Sequence, residues 1–320
     1  MYRSFLRFLK NWTLPIAILT GFISYEAYSH LHIFDATRPY APAFVAFVQP
    51  VLIFSMLFLS FCKIDARRIL PKKKHLWLLL IQAGVFIVGA IILHYITDPL
   101  FGVILQAGML CFICPTATSA CVITSKLGGD AVDITTYTVI INILAAIIIP
   151  TFVPLFHQMP NETFSASFLL ILKKVFPMLI LPLLAAQCCR RFCPTFTQKL
   201  ASTPDLPFYL WAFALSIAIA VTSRAISHSQ ASLQLLCAIA VISLISCATQ
   251  FGLGNWIGRK NHSRISTAQS LGQKNTVFAI WVGYTFMDPL SSIAGGFYSV
   301  WHNLYNTWQL KQMRNHDTSK

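Results

Sequence analysis

A run of polar residues interrupts an apolar stretch late in the chain, at Ser270-Leu-Gly-Gln-Lys-Asn-Thr276. Its hydroxyl, amide and ammonium groups could bind an ion or an anionic ligand, and polar groups at membrane depth usually serve function. One interpretation makes the run the cytoplasmic end of a membrane helix, with Lys274 extended to the interface. However, Arg264 already marks that interface, and Lys274 lies ten residues beyond it, about 15 Å along a helix. The second interpretation therefore puts Lys274 near the centre of the membrane.

An earlier interruption lies at Cys114-Pro-Thr-Ala-Thr-Ser119, inside another apolar stretch. Pro115 removes a helical hydrogen bond and clashes with the preceding turn. Corresponding interruptions in the two halves of a chain are typical of the binding site of a secondary transporter. The two interruptions together predict where a ligand binds.

The elements that position these groups are predicted to be membrane helices. Hydrophobic residues make up 56% of the 320 residues and charged residues only 11%, against about one quarter charged in soluble domains. Apolar runs of the roughly 20 residues that a spanning helix needs recur along the whole chain. The composition predicts one all-α integral membrane domain over residues 1–320, with the lipid bilayer as its surroundings.

The positive charges lie on one side of the predicted segments. Of the 24 Lys and Arg residues, 19 fall at the N-terminus, at the C-terminus or in loops on the same side as the termini. The opposite side holds only Arg38, Lys173, Lys174 and Arg224. This asymmetry follows the positive-inside rule and predicts an inner-membrane protein with both termini in the cytoplasm. It also argues against a nucleic-acid-binding surface, despite the net charge of +14.

Ten membrane segments are predicted, with an outer loop at residues 157–167 between the fifth and the sixth. Five segments on either side of an outer loop have opposite orientations, so we expect two inverted five-helix repeats, residues 1–156 and 168–309. Segments four and nine carry the interruptions. The segments cover residues 12–29, 41–62, 75–97, 99–124, 130–156, 168–188, 205–223, 230–257, 266–287 and 289–309.

Catalytic and metal-binding motifs are missing from the sequence. It contains no HExxH or GxSxG motif and no paired intramembrane carboxylates. Cys111-x-x-Cys114 has no neighbouring His or acidic residue to complete a zinc site. We therefore expect no enzyme activity, no cofactor and no bound metal.

Three stretches give the chain a resemblance to the bile acid:sodium symporter superfamily. They are Cys114-Pro-Thr-Ala-Thr-Ser-Ala-Cys121 followed by Leu127-Gly-Gly-Asp130, then Gly272-Gln-Lys-Asn-Thr276, then Phe297-Tyr-Ser-Val-Trp-His-Asn303. The resemblance implies a panel domain, from helices within 12–62 and 168–223, and a core domain, from helices within 75–156 and 230–309. Helices four and nine would be broken and would cross in the core.

The resemblance also implies where ligands bind. The substrate would lie near the crossing, at positions matched by Thr118, Asn275 and His302, where positive helix N-termini attract a carboxylate. Two sodium sites would use oxygen ligands, but this chain departs from most of them. The matching positions form a degenerate ion site, and they are Gln82, Ala120, Cys121, Thr138, Ser270, Gln273 and Lys274.

Lys274 decides what this departure means. An ammonium beside a sodium position repels the ion, so we expect sodium-independent transport, and sodium is possible as a cofactor but not expected. Lys274 could occupy the volume of the missing ion and bind and release a proton during the cycle. Alternatively, it could pair with the substrate carboxylate, or Asp133 could neutralise it; the sequence leaves these three roles open.

By resemblance, the expected function is secondary active transport of a small or amphipathic organic anion by alternating access, sodium-independent or proton-linked. An ordinary sodium:organic anion symporter is the first alternative. Cys114 and Cys121 suggest an arsenite-type exporter as another, and the degenerate ion sites suggest a ligand sensor that does not transport. The substrate, the direction of transport and the oligomeric state are left open.

Overall fold

Helices make up almost all of the computed structural model, which describes residues 2–64, 69–157, 162–203, 206–229 and 231–318. Short 3-10 turns join some of them, at His32–Phe34, Arg38–Tyr40 and Pro289–Ser292. The α-helices of the described residues are α1 Tyr2–His30, α2 Ala41–Cys62, α3 Lys73–Tyr95, α4 Pro99–Ile113, α5 Ala120–Lys126, α6 Ala131–Phe156, α7 Phe164–Phe192, α8 Pro194–Ala201, α9 Leu206–His228, α10 Leu233–Lys260, α11 Arg264–Gly272, α12 Thr276–Phe286 and α13 Ile293–Thr318.

Six of these helices are long and apolar enough to cross a membrane: α2 with its preceding turn, α3, α6, α7, α9 and α10. Two shorter apolar helices, α4 and α12, adjoin the breaks. Helices α1 and α13 have 29 and 26 residues, which is long enough, but they are more polar. The all-α membrane fold is therefore confirmed, while the count of ten crossings and the inverted repeat stay predictions.

The interruptions predicted in segments four and nine are present. Segment four is divided into α4 and α5, and segment nine into α11 and α12. Between α5 and α6, Gly128 adopts a φ of +77°, a left-handed conformation that favours glycine. The next residue but one, Asp130, caps α6 by accepting from the N–H groups of Val132 and Asp133 at 2.8 and 3.1 Å.

Residues 189–205 form a polar connection between the sixth and seventh predicted segments, and the described part of it, residues 189–203, is largely helical. Helix α7 continues to Phe192, and α8 follows with Pro194 at its first turn. Proline is favoured at this position because its missing N–H would be unpaired there in any case. Helix α8 was not predicted, since a short helix at a membrane surface does not need an apolar run.

The helices pack in two groups around the breaks. In one group α1 packs on α9, and α2 packs on both α7 and α9; in the other α10 packs on α4, α11 and α13, and α3 on α4 and α6. Contacts between α6 and α7 join the groups. Helices α10 and α11 approach closely at Gly254, where a Cβ atom would lie only 2.7 Å from the Cα of Ala268, and at Gly258, where it would lie 2.7 Å from the Cα of Arg264.

Candidate functional site

The two helix breaks lie directly against each other. The N–H of Ala117 donates to the carbonyl of Gln273, and that of Asn275 to the carbonyl of Pro115, both at 2.9 Å. Thr116 and Lys274 are thereby paired as in an antiparallel strand. The two interruptions of the sequence form one contact, residues 114–119 with residues 273–275, which we call the crossing.

Local sequence explains where α4 ends and where α12 begins. Pro115 has no N–H to donate to the carbonyl of Cys111, so the hydrogen bonding of α4 ends there. On the other side of the crossing, the side chain of Asn275 caps α12 by accepting from the N–H of Phe278 at 3.3 Å. Asparagine is among the preferred residues at a helix N-cap.

Lys274 is buried inside the crossing, with 1% of its surface exposed. Its Nζ atom donates to the carbonyl of Phe112, in the last turn of α4, at 3.1 Å. The partner that the described residues give this group is thus a neutral carbonyl rather than a carboxylate. Such carbonyls have no partner within the helix and carry partial negative charge, which favours a cation.

Two glutamines share the task of capping α4. Gln82 of α3 donates through Nε2 to the carbonyls of Phe112 and Cys114, at 2.5 and 3.3 Å. Gln250 of α10 donates to the carbonyl of Cys111 at 3.2 Å, the group that Pro115 leaves unpaired. The buried end of α4 therefore has its hydrogen bonds supplied by α3, α10 and the second break.

The end of α11 is capped in the same manner. The hydroxyl of Thr116 donates to the carbonyl of Ser270 at 2.8 Å, and that of Tyr298 donates to the carbonyl of Gly272 at 2.7 Å. The negative ends of α4 and α11 thus both lie at the crossing. This is an environment for a positive charge, and Lys274 is the charged side chain that occupies it.

The structure brings together part of the predicted degenerate ion site. Gln82 and Lys274 donate to the same carbonyl, that of Phe112. Gln273 donates across the crossing to the hydroxyl of Ser119 at 3.0 Å. Gln273 and Lys274 thus belong to the crossing itself, and Gln82 of α3 lies against it.

The other predicted ion-site residues are engaged elsewhere or have no polar partner. Thr138 donates to the carbonyl of Ile134 in its own helix at 2.9 Å, and Cys121 lies 3.8 Å from the carbonyl of Ala131. Ala120 is buried at the start of α5. The hydroxyl of Ser270 is buried without a hydrogen-bond partner in the described part of the chain.

The predicted substrate-binding residues differ in their accessibility. Thr118 is half-buried within the first break, whereas Asn275 and His302 are buried, with 7% and 4% of their surface exposed. The ring of His302 packs on Tyr298 at 5.7 Å. Among the described residues no hydrogen bond joins His302 to the crossing. Because His302 is buried and Thr118 is half-buried, this conformation does not present both side chains to one ligand.

Asp133, one of the possible partners of Lys274 that the sequence left open, is paired with other residues. Its carboxylate forms ion pairs with Lys72 at 3.0 Å and with Lys74, and it lies 3.2 Å from the ring of His75. These partners all lie in the basic run Lys72-Lys-Lys-His75, at the start of α3. Their number and proximity outcompete a single lysine on a different element.

Comparison with known families agrees with this geometry. A family model described as the SBF-like CPA transporter family matches residues 45–310, which include both breaks and most of the helices. The chain belongs to the SBF-like CPA transporter family. This family is related to the bile acid:sodium symporters, so the resemblance seen in the sequence is confirmed. No curated protein gives a significant match.

Membership in the SBF-like CPA transporter family makes the chain a multi-pass membrane transporter. The family is one of transporters rather than of enzymes.

This SBF-like transporter also contains a large cavity of about 1100 Å³. It lies between the C-terminal halves of α1, α9 and α12 and the N-terminal half of α2, with Lys174 of α7 at its wall. Its cations are Arg38, Lys174 and Arg224, with His228 beside them, and its walls include Trp281 and Tyr284. We call it the basic cavity; the sequence analysis did not predict it.

The sequence analysis also did not predict three partners of the crossing, which are Gln250, Tyr298 and the carbonyl of Phe112. Gln250 lies in the interior of the apolar α10, and its polar side chain at that depth was the signal for a buried hydrogen-bonding role. The carbonyl had no signal, because main-chain acceptors are present at every residue.

Proposed function

We propose that this protein moves a small or amphipathic organic anion by alternating access, without sodium. The observation that carries the proposal is the position of Lys274, buried in the crossing with Nζ against the carbonyl end of α4. The ammonium group of Lys274 would occupy the place where related symporters hold an ion, and its charge is covalently attached to the protein.

Electrostatics supports sodium independence. Two unit charges about 4 Å apart repel by roughly 4 kcal/mol at an effective dielectric near 20. Among the described residues no carboxylate lies against Lys274 to offset this, since Asp133 is paired with Lys72 and Lys74 and lies beside His75. A sodium ion would therefore bind poorly beside a charged Lys274.

The proposed architecture is ten membrane helices in two inverted repeats, with the interrupted helices four and nine in the core. The packing of α1, α2, α7 and α9 with one another supports a panel domain, and that of α10 on α4, α11 and α13 supports a core. We place the protein in the inner membrane with both termini in the cytoplasm, on the charge asymmetry of its loops.

The arsenite-type alternative has less support. Cys114 donates to the carbonyl of Asn275 at 2.8 Å, and Cys121 lies against the carbonyl of Ala131. The two thiols thus contact different backbone groups instead of converging on one ligand.

The experiment that tests sodium independence needs no known substrate. We would measure the thermal stability of purified protein in sodium chloride and in choline chloride at equal ionic strength. A ligand at ten times its dissociation constant stabilises a protein by about 1.4 kcal/mol. Equal melting temperatures are expected, and a rise specific to sodium would instead identify an ordinary sodium symporter.

A transport measurement separates a carrier from a sensor. Protein in proteoliposomes is expected to accumulate or exchange a labelled organic anion without a sodium gradient. Saturable binding with neither accumulation nor exchange would contradict the proposal and favour a ligand sensor.

A further inference from the structure

The basic cavity has an excess of positive charge on its walls. Arg38, Lys174 and Arg224 line it, and none of its described lining residues is acidic. Arg38 is already compensated, because its guanidinium lies 2.8 Å from Asp35. Lys174 and Arg224 have no ion pair among the described residues, so the cavity carries two uncompensated charges.

The two cations belong to different helices and are held near apolar walls. Lys174, on α7, lies over the ring of Phe286 at the end of α12, 5.8 Å from its centroid. Arg224 lies on α9 and is half-buried. Aromatic residues of α1, α2 and α12 line the rest of the wall, among them Tyr25, Phe44 and Trp281.

The wall of the basic cavity also contains an unpaired polar group. Gln49 lines the cavity with 2% of its surface exposed, and its Nε2 atom is buried without a partner in the described residues. Buried donors are nearly always hydrogen-bonded, so an orphan donor in a cavity wall calls for an acceptor. A carboxylate oxygen would supply one.

We propose that the basic cavity binds a dianion with an aromatic or aliphatic body, one anionic group on Lys174 and the other on Arg224. This deepens the proposed function, on which it rests, by assigning the substrate two negative charges. The cavity and the crossing are close along the chain, because Trp281 in the cavity wall follows Lys274 by seven residues, about 10 Å along a helix. A bound dianion would therefore contact the same helix that the crossing positions.

The test compares two probes that differ by one charge, naphthalene-2,6-dicarboxylate and naphthalene-2-carboxylate. Binding is measured by calorimetry on the full-length protein in a neutral detergent near pH 8, where both acids are ionised. We expect the dicarboxylate to bind about tenfold more tightly, the contribution of one charge-assisted hydrogen bond.

Substitutions then test whether Lys174 and Arg224 bind the two carboxylates of the dicarboxylate probe. Lys174→Gln and Arg224→Gln are each expected to reduce this ratio to about one, whereas Lys173→Gln, an exposed neighbour outside the cavity wall, should leave it unchanged. Equal binding of the two probes by the unmodified protein would overturn the proposal. So would a ratio that none of the substitutions changes.

Three further outcomes separate this proposal from others. Binding of short-chain phosphatidic acid, with none of the dicarboxylate, would overturn it in favour of a lipid headgroup. Sodium-independent anion flux that is insensitive to Lys174→Gln and Arg224→Gln would overturn it while keeping the proposed function. Dicarboxylate binding with the expected ratio but no flux would support the site and contradict transport.

Discussion

Lys274 donates to the carbonyl of Phe112, a residue 162 positions earlier in the chain, and so connects the second break to the end of α4. Gln82 donates to the same carbonyl. The amino group is therefore held in place at the carbonyl end of α4. This relationship makes Lys274 the first residue to test in the transport cycle.

We expect Lys274→Gln to remove the pH dependence of anion flux, because an amide cannot exchange a proton in place of the amine. Anion flux into proteoliposomes, measured from about pH 5.5 to 9, checks this. Lys126→Gln, an exposed lysine at the end of α5, is the control. An unaltered pH profile in Lys274→Gln would remove this residue from proton coupling.

The ion cluster of α3 and α6 predicts two very different losses of stability. Asp133→Asn leaves Lys74, whose side chain is 4% exposed, without its buried counter-charge, and we expect a loss of about 3–5 kcal/mol. Lys72→Met removes a partner that is 52% exposed and should cost no more than about 1 kcal/mol. Thermal unfolding in detergent compares the two variants. Similar melting temperatures would contradict a buried role for the Lys74–Asp133 pair.

Two nearby glycines of α10 form a matched pair for testing the packing of α11. At Gly254 an added methyl group would meet the backbone of Ala268, and we expect Gly254→Ala to cost about 1–3 kcal/mol. At Gly252 nothing lies within 4 Å, so Gly252→Ala should be neutral or stabilise by up to about 1 kcal/mol through helix propensity. The same unfolding measurement applies. A stable Gly254→Ala variant would show that the helices do not pack as closely as described.

The orientation of the protein can be tested at the two ends of α7. Cys193 follows the helix and is exposed, and Ser165 near its start is exposed as well. In a variant that keeps Cys193 as its one cysteine, a membrane-impermeant maleimide should react from the cytoplasmic side. With Ser165→Cys as the one cysteine, it should react from the outside. Labelling of both from the same side would contradict the proposed crossing of α7.

The breaks were predictable because their causes are local. Pro115 ends a helix through its own covalent structure, and the polar run at Gln273-Lys-Asn275 is conspicuous between apolar flanks. The family could be identified from the same stretches. These features depend on neighbours in sequence, which a single chain displays in full.

The partners of these residues were not predictable, because they depend on tertiary packing. Asp133 was considered as a counter-charge for Lys274, yet three basic residues of α3 lie against it. The basic cavity combines residues of five helices, and no spacing in the sequence reveals that Gln49 and Lys174 line one wall. Helix α8 was missed because its amphipathic, mostly polar sequence has no long apolar run.

The crossing also imposes an order on biosynthesis. Thr116 and its acceptor Ser270 are 154 residues apart, so the ribosome releases the first break long before its partner exists. During that interval Gln82, on the preceding α3, is already available to satisfy the carbonyls at the end of α4. The first half thus carries a partial cap for its open helix end, and the carbonyl of Cys111 gains its partner only when Gln250 of the second half has been made.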